Sequence, residues 1–219
     1  MKNKDDKVTA SGVFELRDGQ YTGEWRDGAP NGYGVLITDD GDVYVGNWHY
    51  GNLNGEGSAK FADGDRYDGL FEDGRYHGQG VYTAGRDGRR YVGVWEYGKM
   101  VGPGNIEYPT GERYEGIFKN GRMEGVGFHV YANGDRYDGE FKEGAENGHG
   151  VLVCANGDRY EGGFACHRFH GMGVYTYANG DRYEGEYYYG KRDGYGVFTY
   201  SDGRTQRGIW WQNNFKEEQ

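Results

Sequence analysis

A tyrosine returns along this chain at Tyr21, Tyr44, Tyr67, Tyr91, Tyr114, Tyr137, Tyr160 and Tyr183, with steps of 23 residues and a single step of 24. A fixed period of that length means one supersecondary unit stacked on copies of itself, because each unit can bury its apolar face only against its neighbours. Gln206 falls one period further on and opens a truncated ninth unit, RGIWWQNN, while Gly12 to Gly19 matches the closing half of a unit. The expected organisation is therefore a flexible N-terminal segment over 1–11, a repeat array over 12–211 with eight full and two partial units, and a tail over 212–219. A chain that opens on a half unit is also what a fragment of a longer array would look like.

Within each unit a glycine follows the tyrosine at +2 and a large aromatic at +4, as in Gly23 and Trp25 or Gly69 and Phe71. Positions of equal parity share one face of a strand, so tyrosine, glycine and Trp/Phe form an aromatic stripe with a gap where a neighbour can approach closely. Glycines at +11 and +13, such as Gly32 and Gly34, are expected to bracket a turn, after which a second strand such as GVYTY at Gly173 to Tyr177 follows. That strand runs into Asn133-Gly134, Asn156-Gly157 or Asn179-Gly180. Asn-Gly between alternating runs predicts a type I′ hairpin turn with positive φ at both residues. The extra residue near Ala84 to Gly88 lengthens one such loop without changing register elsewhere.

The composition agrees with tight turns between aromatic strands. Forty-four glycines and 22 tyrosines stand beside three prolines, with 17% aromatics and no collagen-like triplet, which argues against disorder. No long apolar run is present for a membrane helix, and MKNKDDKVTASG has no apolar core for a signal peptide, so a cytosolic location is expected. Two cysteines, Cys154 and Cys166, do not make a disulfide framework. A net charge of −10 disfavours nucleic acid and anionic membrane as generic partners.

The pattern Y-x-G-x-W/F-x-x-G-x-x-x-G-x-G, read at Tyr21, Gly23, Trp25, Gly28, Gly32 and Gly34, resembles the MORN (membrane occupation and recognition nexus) repeat over almost the whole chain. The resemblance implies an all-β fold, an elongated twisted antiparallel sheet of successive β-hairpins forming a rod. It also implies a scaffold in place of an enzyme, similar in plan to the MORN scaffolds of apicomplexan budding and basal complexes.

Arginine precedes the tyrosine in six units (Arg66, Arg90, Arg113, Arg136, Arg159 and Arg182), on the face opposite the aromatic stripe. The family resemblance makes this ladder a candidate for acidic phospholipid headgroups or phosphoinositides. Asp68, Glu115, Asp138, Glu161 and Glu184 lie two residues along on the same face, however, and favour surface pairing over a lipid site. On the aromatic face, a single layer of sheet leaves rings partly exposed. Trp25, Tyr44, Trp48, Tyr67, Phe71 and Trp95 are the expected groove for a protein partner, either a helix or an extended peptide.

No enzyme signature emerges. Ser11, Ser58 and Ser201 are the only serines and none sits in a G-x-S-x-G elbow, and acidic residues recur by period instead of clustering. Asp39, Asp40 and Asp42 are adjacent but lack EF-hand spacing. The one breach of the pattern is at +7, which is glycine at 28, 51, 74, 98, 121, 144 and 190 but His167 in the seventh unit. Seven glycines suggest positive φ there, a conformation that costs histidine about 1 kcal/mol or more.

Cys166 and His167 are residue types zinc prefers, with His170 near enough to be a third ligand or to orient the site. Cys154 lies roughly 20 Å along the ladder and cannot join them. A two-fold axis through the turn would bring a second Cys166-His167 and close a structural Zn2+ site between chains of a homodimer. The bland alternative is a free thiol beside a solvent-facing histidine. The resulting expectation is a non-enzymatic, self-associating scaffold in a cytoskeletal or membrane-associated assembly, with a lipid-binding adaptor as the rival.

Overall fold

A computed structural model describes residues 10–216, and among them there is no helix. The chain divides into two compact units at Pro109 and Thr110. The first holds β1 (Ala10–Leu16), β2 (Gly19–Arg26), β3 (Ala29–Thr38), β4 (Val43–His49), β5 (Asn52–Lys60), β6 (Arg66–Glu72), β7 (Arg75–Thr83), β8 (Arg90–Glu96) and β9 (Lys99–Glu107). The second holds β10 (Arg113–Lys119), β11 (Arg122–Val130), β12 (Arg136–Lys142), β13 (Ala145–Val153), β14 (Arg159–Ala165), β15 (Arg168–Thr176), β16 (Arg182–Tyr188), β17 (Lys191–Thr199), β18 (Thr205–Trp211) and β19 (Asn214–Lys216).

Inside each unit every strand pairs antiparallel with the strands before and after it. The all-β array of successive hairpins is therefore the observed fold. Strand structure takes in Ala10, Ser11 and Asn214–Lys216. The remainder of the expected flexible segment, 1–9, and residues 217–219 of the expected tail lie outside the described residues.

The two kinds of turn are assigned differently from the sequence expectation. Type I′ geometry falls at +6 and +7, as in Asn120 (φ 51°) and Gly121 (φ 78°), where two residues join β10 to β11. The Asn-Gly loops are instead wider. Gly134 N–H donates to Tyr131 O at 2.9 Å, Gly134 alone has positive φ (90°), and Asn133 is a central residue of an ordinary turn closed by a glycine bulge. Glycines at +11 and +13 do not bracket a turn. They lie inside the long second strand, where each hairpin shifts register by a bulge, as between Gly116 and Ile117.

That bulge serves the core. Gly23 faces Gly34 across β2 and β3, and the Tyr21 ring lies over the pair, so a Cβ on Gly34 would meet its Oη. The same bed holds Tyr67, Tyr114, Tyr137, Tyr160 and Tyr183, all essentially without solvent exposure. Each hydroxyl donates to the carbonyl three residues on, for example Tyr160 to Gly163 O at 2.9 Å and Tyr137 to Glu140 O at 2.9 Å. The +4 rings of the same and the next repeat meet the tyrosine edge-on, with Tyr137 at 5.1 Å from Phe141 and 4.9 Å from Phe164. Such contacts add about 0.5–1.5 kcal/mol each beyond burial.

Neighbouring repeats are fastened at both ends of the hairpin. The loop aspartates Asp42, Asp65, Asp135, Asp158 and Asp181 each accept a backbone N–H from the next loop, at 2.8 to 2.9 Å. At the tight turns, the +7 N–H donates to the +9 carbonyl of the preceding repeat, as from Gly74 to Leu53 O and from Gly190 to Phe169 O.

Candidate functional site

The six aromatics expected to form a groove divide by environment. Tyr67, Phe71, Trp95 and Trp48 are buried within the sheet, at 7% exposure or less. Trp25 and Tyr44 are half-buried. Tyr44 and Trp48 come together around open space, a cavity of about 520 Å³ in the first unit lined also by Leu16, Leu36, Leu53, Arg17, Asp18, Thr38 and Asn52.

The cavity follows from what fills the glycine bed. In the second repeat a Cβ on Gly46 would stand 3.1 Å from Leu53 Cδ2, so the leucine occupies the place the tyrosine ring takes elsewhere. Tyr44 is displaced. Its hydroxyl bonds to Asp42 Oδ2 at 3.2 Å, its ring abuts Phe61 at 5.9 Å, and burial, then the Asp42 charge, raises its pKa. Met100 fills the bed of the fourth repeat in the same way, with its Cε 2.6 Å from a Cβ on Gly104. The lining leucines fall outside the tyrosine, glycine and +4 columns that the repeat pattern marks. The signal that could have found Leu53 is the +9 column, which reads Pro30, Leu53, Tyr76, Met100, Met123, Glu146, Phe169 and Arg192.

On the opposite face the arginine ladder is largely self-paired. Arg66 pairs with Asp68, Arg159 with Glu161 at 2.7 Å, Arg182 with Glu184 at 2.6 Å and Arg90 with Glu107 at 2.7 Å. Three of these pairs join residues two apart on one strand and one crosses to the next strand. All are exposed, where such pairs contribute at most about 1 kcal/mol. The charge a lipid headgroup would need is already engaged at these four arginines.

Cys166 and His167 are the two central residues of the turn joining β14 to β15, at φ 47° and 63°. The positive φ inferred at +7 is therefore what His167 adopts. Both residues are exposed, but His170 is not gathered with them; its ring lies tilted against Tyr188 and Tyr189 at 5.5 and 5.0 Å. Among the described residues no three His, Cys, Asp or Glu side chains are placed to hold a metal ion together.

What His167 does meet is Glu146, whose carboxylate the sequence pattern did not single out. His167 N–H donates to Glu146 O at 3.1 Å, the same +7 to +9 link seen between the other repeats, and its Nδ1 stands 3.9 Å from Glu146 Oε2. Glu146 is 4% exposed, its Oε1 has no hydrogen-bond partner, and burial raises its pKa to about 7. The only acid in the +9 column thus touches the only histidine in the +7 column.

A family model described as MORN repeat matches eight consecutive segments, 21–43, 44–66, 67–86, 91–113, 114–136, 137–159, 160–182 and 183–203. No curated protein sequence matches the chain. Among solved structures, the TCP10 domain of Danio rerio CPAP is similar at 12% identity and a TM-score of 0.44, covering 81% of this chain and 83% of that one. The Drosophila melanogaster SAS-4 TCP domain, solved with a proline-rich motif of Ana2, is similar at 9% identity and a TM-score of 0.38, covering 96% and 97%. At these scores the two domains say nothing about what this chain binds.

Proposed function

The chain belongs to the MORN repeat family, and from that premise we propose that it is a non-enzymatic scaffold that binds partner proteins and pairs with a second copy of itself. Its setting in this reading is a cytoplasmic assembly at the cytoskeleton or the inner face of a membrane. The observation that supports protein binding is the cavity at Tyr44 and Trp48, a recess with a leucine floor of Leu16, Leu36 and Leu53 and polar edges at Arg17, Asp18, Thr38 and Asn52. Recesses that seat an aromatic or aliphatic anchor are where interface energy concentrates.

The test begins with partners identified by crosslinking in cells and rebuilt from purified components. Tyr44→Ala is expected to weaken the rebuilt complex at least tenfold while leaving the six bedded tyrosines untouched. Equal affinity of the variant removes the cavity from the account. Sedimentation with phosphoinositide vesicles at low salt, lost at high salt, would instead support the lipid-binding adaptor; the pairing of four ladder arginines speaks against it.

Self-pairing is placed at the tip formed by Cys166 and His167. Among the described residues no third donor is gathered there, so a structural Zn2+ would take its remaining ligands from the same tip of a second copy. Metal analysis and light-scattering mass, with and without chelator, test this together. A zinc-free dimer that persists in the Cys166→Ser, His167→Ala variant eliminates the bridge.

A further inference from the structure

The polar face of the last three repeats carries a second surface, distinct from the cavity and from the Cys166 tip. Position +5 points outward and is Arg26, His49, Glu72, Glu96, Lys119 and Lys142 in the first six repeats, Ala165 in the seventh, and aromatic at Tyr188 and Trp211 in the last two. Together with Met172, Tyr195 and Ile209 these residues are 46% to 63% exposed. The register makes them neighbours. Tyr195 pairs directly with Ile209, Trp211 is the next outward residue along β18, and Glu186, which pairs with Met172, is followed outward on β16 by Tyr188.

Charge changes sign at the same place. Position +1 is an acid in five of the earlier repeats and Arg207 in the ninth. Of the acids around the patch, Glu184 is paired with Arg182 at 2.6 Å, while Glu186 and Asp193 keep their charge and accept the N–H groups of Tyr195 at 3.0 Å and Gln212 at 3.4 Å. Lys191, Arg207 and Lys216 are exposed and meet no carboxylate among the described residues; Lys191 Nζ donates to the neutral Gln212 Oε1 at 3.0 Å, and Lys216 pairs directly with Ile209. In a chain of net charge −10 this is a local cationic rim around exposed rings. Because the rings stand on the face of the sheet, a further strand added at the edge of β19 would leave them open.

We infer that this surface docks an acidic amphipathic segment of a partner protein, with its apolar side chains on Trp211, Ile209, Tyr195 and Tyr188 and its carboxylates against Lys191, Arg207 and Lys216. Aromatic anchors in a charged rim give the affinity, and the charge gives orientation and rejects basic segments. The inference rests on the scaffold reading and names a surface and a partner chemistry that the cavity does not supply.

A random twelve-residue peptide library displayed on phage is the test, selected on the intact chain and counter-selected on Trp211→Ser. Enriched sequences are expected to combine Asp or Glu with Trp, Phe or Leu. Their synthetic peptides, followed by fluorescence anisotropy, should lose at least tenfold in affinity on Trp211→Ser and on Arg207→Glu, and should weaken as salt rises. Both substitutions are at exposed positions, and unchanged circular dichroism and melting confirm the fold.

Enrichment of neutral or basic peptides, or of none that depends on Trp211, overturns the inference. So does a light-scattering mass that falls from dimer to monomer on Trp211→Ser, which makes the occupant a second copy, or Trp211-dependent binding to vesicles of phosphatidylserine with no peptide enriched. Failure here with Tyr44-dependent partner binding intact sinks this surface and leaves the scaffold reading standing.

Discussion

Replacing Glu146 by glutamine should stabilise the second unit in a pH-dependent way. The carboxyl sits at +9, where six of the seven sister repeats carry an uncharged residue (Pro30, Leu53, Tyr76, Met100, Met123 and Phe169) and the last carries Arg192, and burial lifts its pKa from 4.5 to about 7. The nearest base, His167 Nδ1, is 3.9 Å away and 60% exposed, too far for a hydrogen bond that would offset the burial. The folded state holds this proton more tightly than the unfolded state does. Below about pH 4.5 both states are protonated and the wild-type residue costs little. Between about pH 4.5 and 7 the cost grows to about 3 kcal/mol, at about 1.36 kcal/mol per tenfold difference in proton affinity, and above the folded value it stays level.

Repeat arrays open locally, so the measurement is amide exchange by mass spectrometry on peptides covering 137–170, with wild type and Glu146→Gln compared at each pH so that intrinsic rates cancel. Protection of the variant over wild type should be within about tenfold at pH 5 and reach roughly a hundredfold at pH 8. A ratio that stays flat between those values, or that falls with pH, refutes the buried-carboxylate argument.

Three further outcomes follow from the packing. Gly173→Ala places a Cβ on the Tyr160 hydroxyl and should cost about 1–3 kcal/mol or more, seen as a lowered thermal midpoint, with Tyr160→Phe costing only about 1 kcal/mol for its lost bond to Gly163 O. Asp158→Ala removes the acceptor for Ala178 N–H at 2.8 Å and for the Tyr175 hydroxyl at 2.7 Å; urea unfolding should report a loss of about 1–3 kcal/mol. Ile209→Thr, at an exposed position of the polar face, should leave the thermal midpoint within a degree or two, since surface changes of this kind move stability by about 0.5 kcal/mol.

The period made the hairpins, the aromatic stripe and the positive φ at His167 legible, because each is a local consequence of which residue types recur at which offset. The turn types were not legible from dipeptides alone. Asn-Gly marks a type I′ turn only when the flanking strands close on those two residues, and here the pairing of Tyr131 with Asp135 closes around three. The cavity was half legible: Trp48 and Tyr44 belong to the periodic stripe, but the displacement of Tyr44 depends on Leu53, nine residues on, entering the bed in its stead. Glu146 escaped notice for a related reason. A column of mixed Pro, Leu, Met, Tyr, Phe and Arg has no fixed residue type, so an acid in it does not look like a breach.

Seen through the +7 to +9 link, the two exceptions at Glu146 and His167 are a single local departure from the repeat, and folding does not account for it. His167 costs about 1 kcal/mol for its positive φ, and Glu146 costs about 3 kcal/mol at neutral pH. The buried carboxylate regains little from His167, which is 60% exposed and 3.9 Å away, beyond hydrogen-bond reach. The variant Glu146→Met, His167→Gly, which restores the residue types of the sister repeats, is therefore expected to exceed wild type by several kcal/mol near neutral pH, measured by exchange over 137–170. A double variant no more stable than wild type would mean that the pair is worth far more than its geometry allows. If the gain appears, the residues at this tip are held against the interest of the fold, which is the mark of a site chosen for what it meets. The neighbouring exposed Cys166 makes a second copy of the same tip the first candidate.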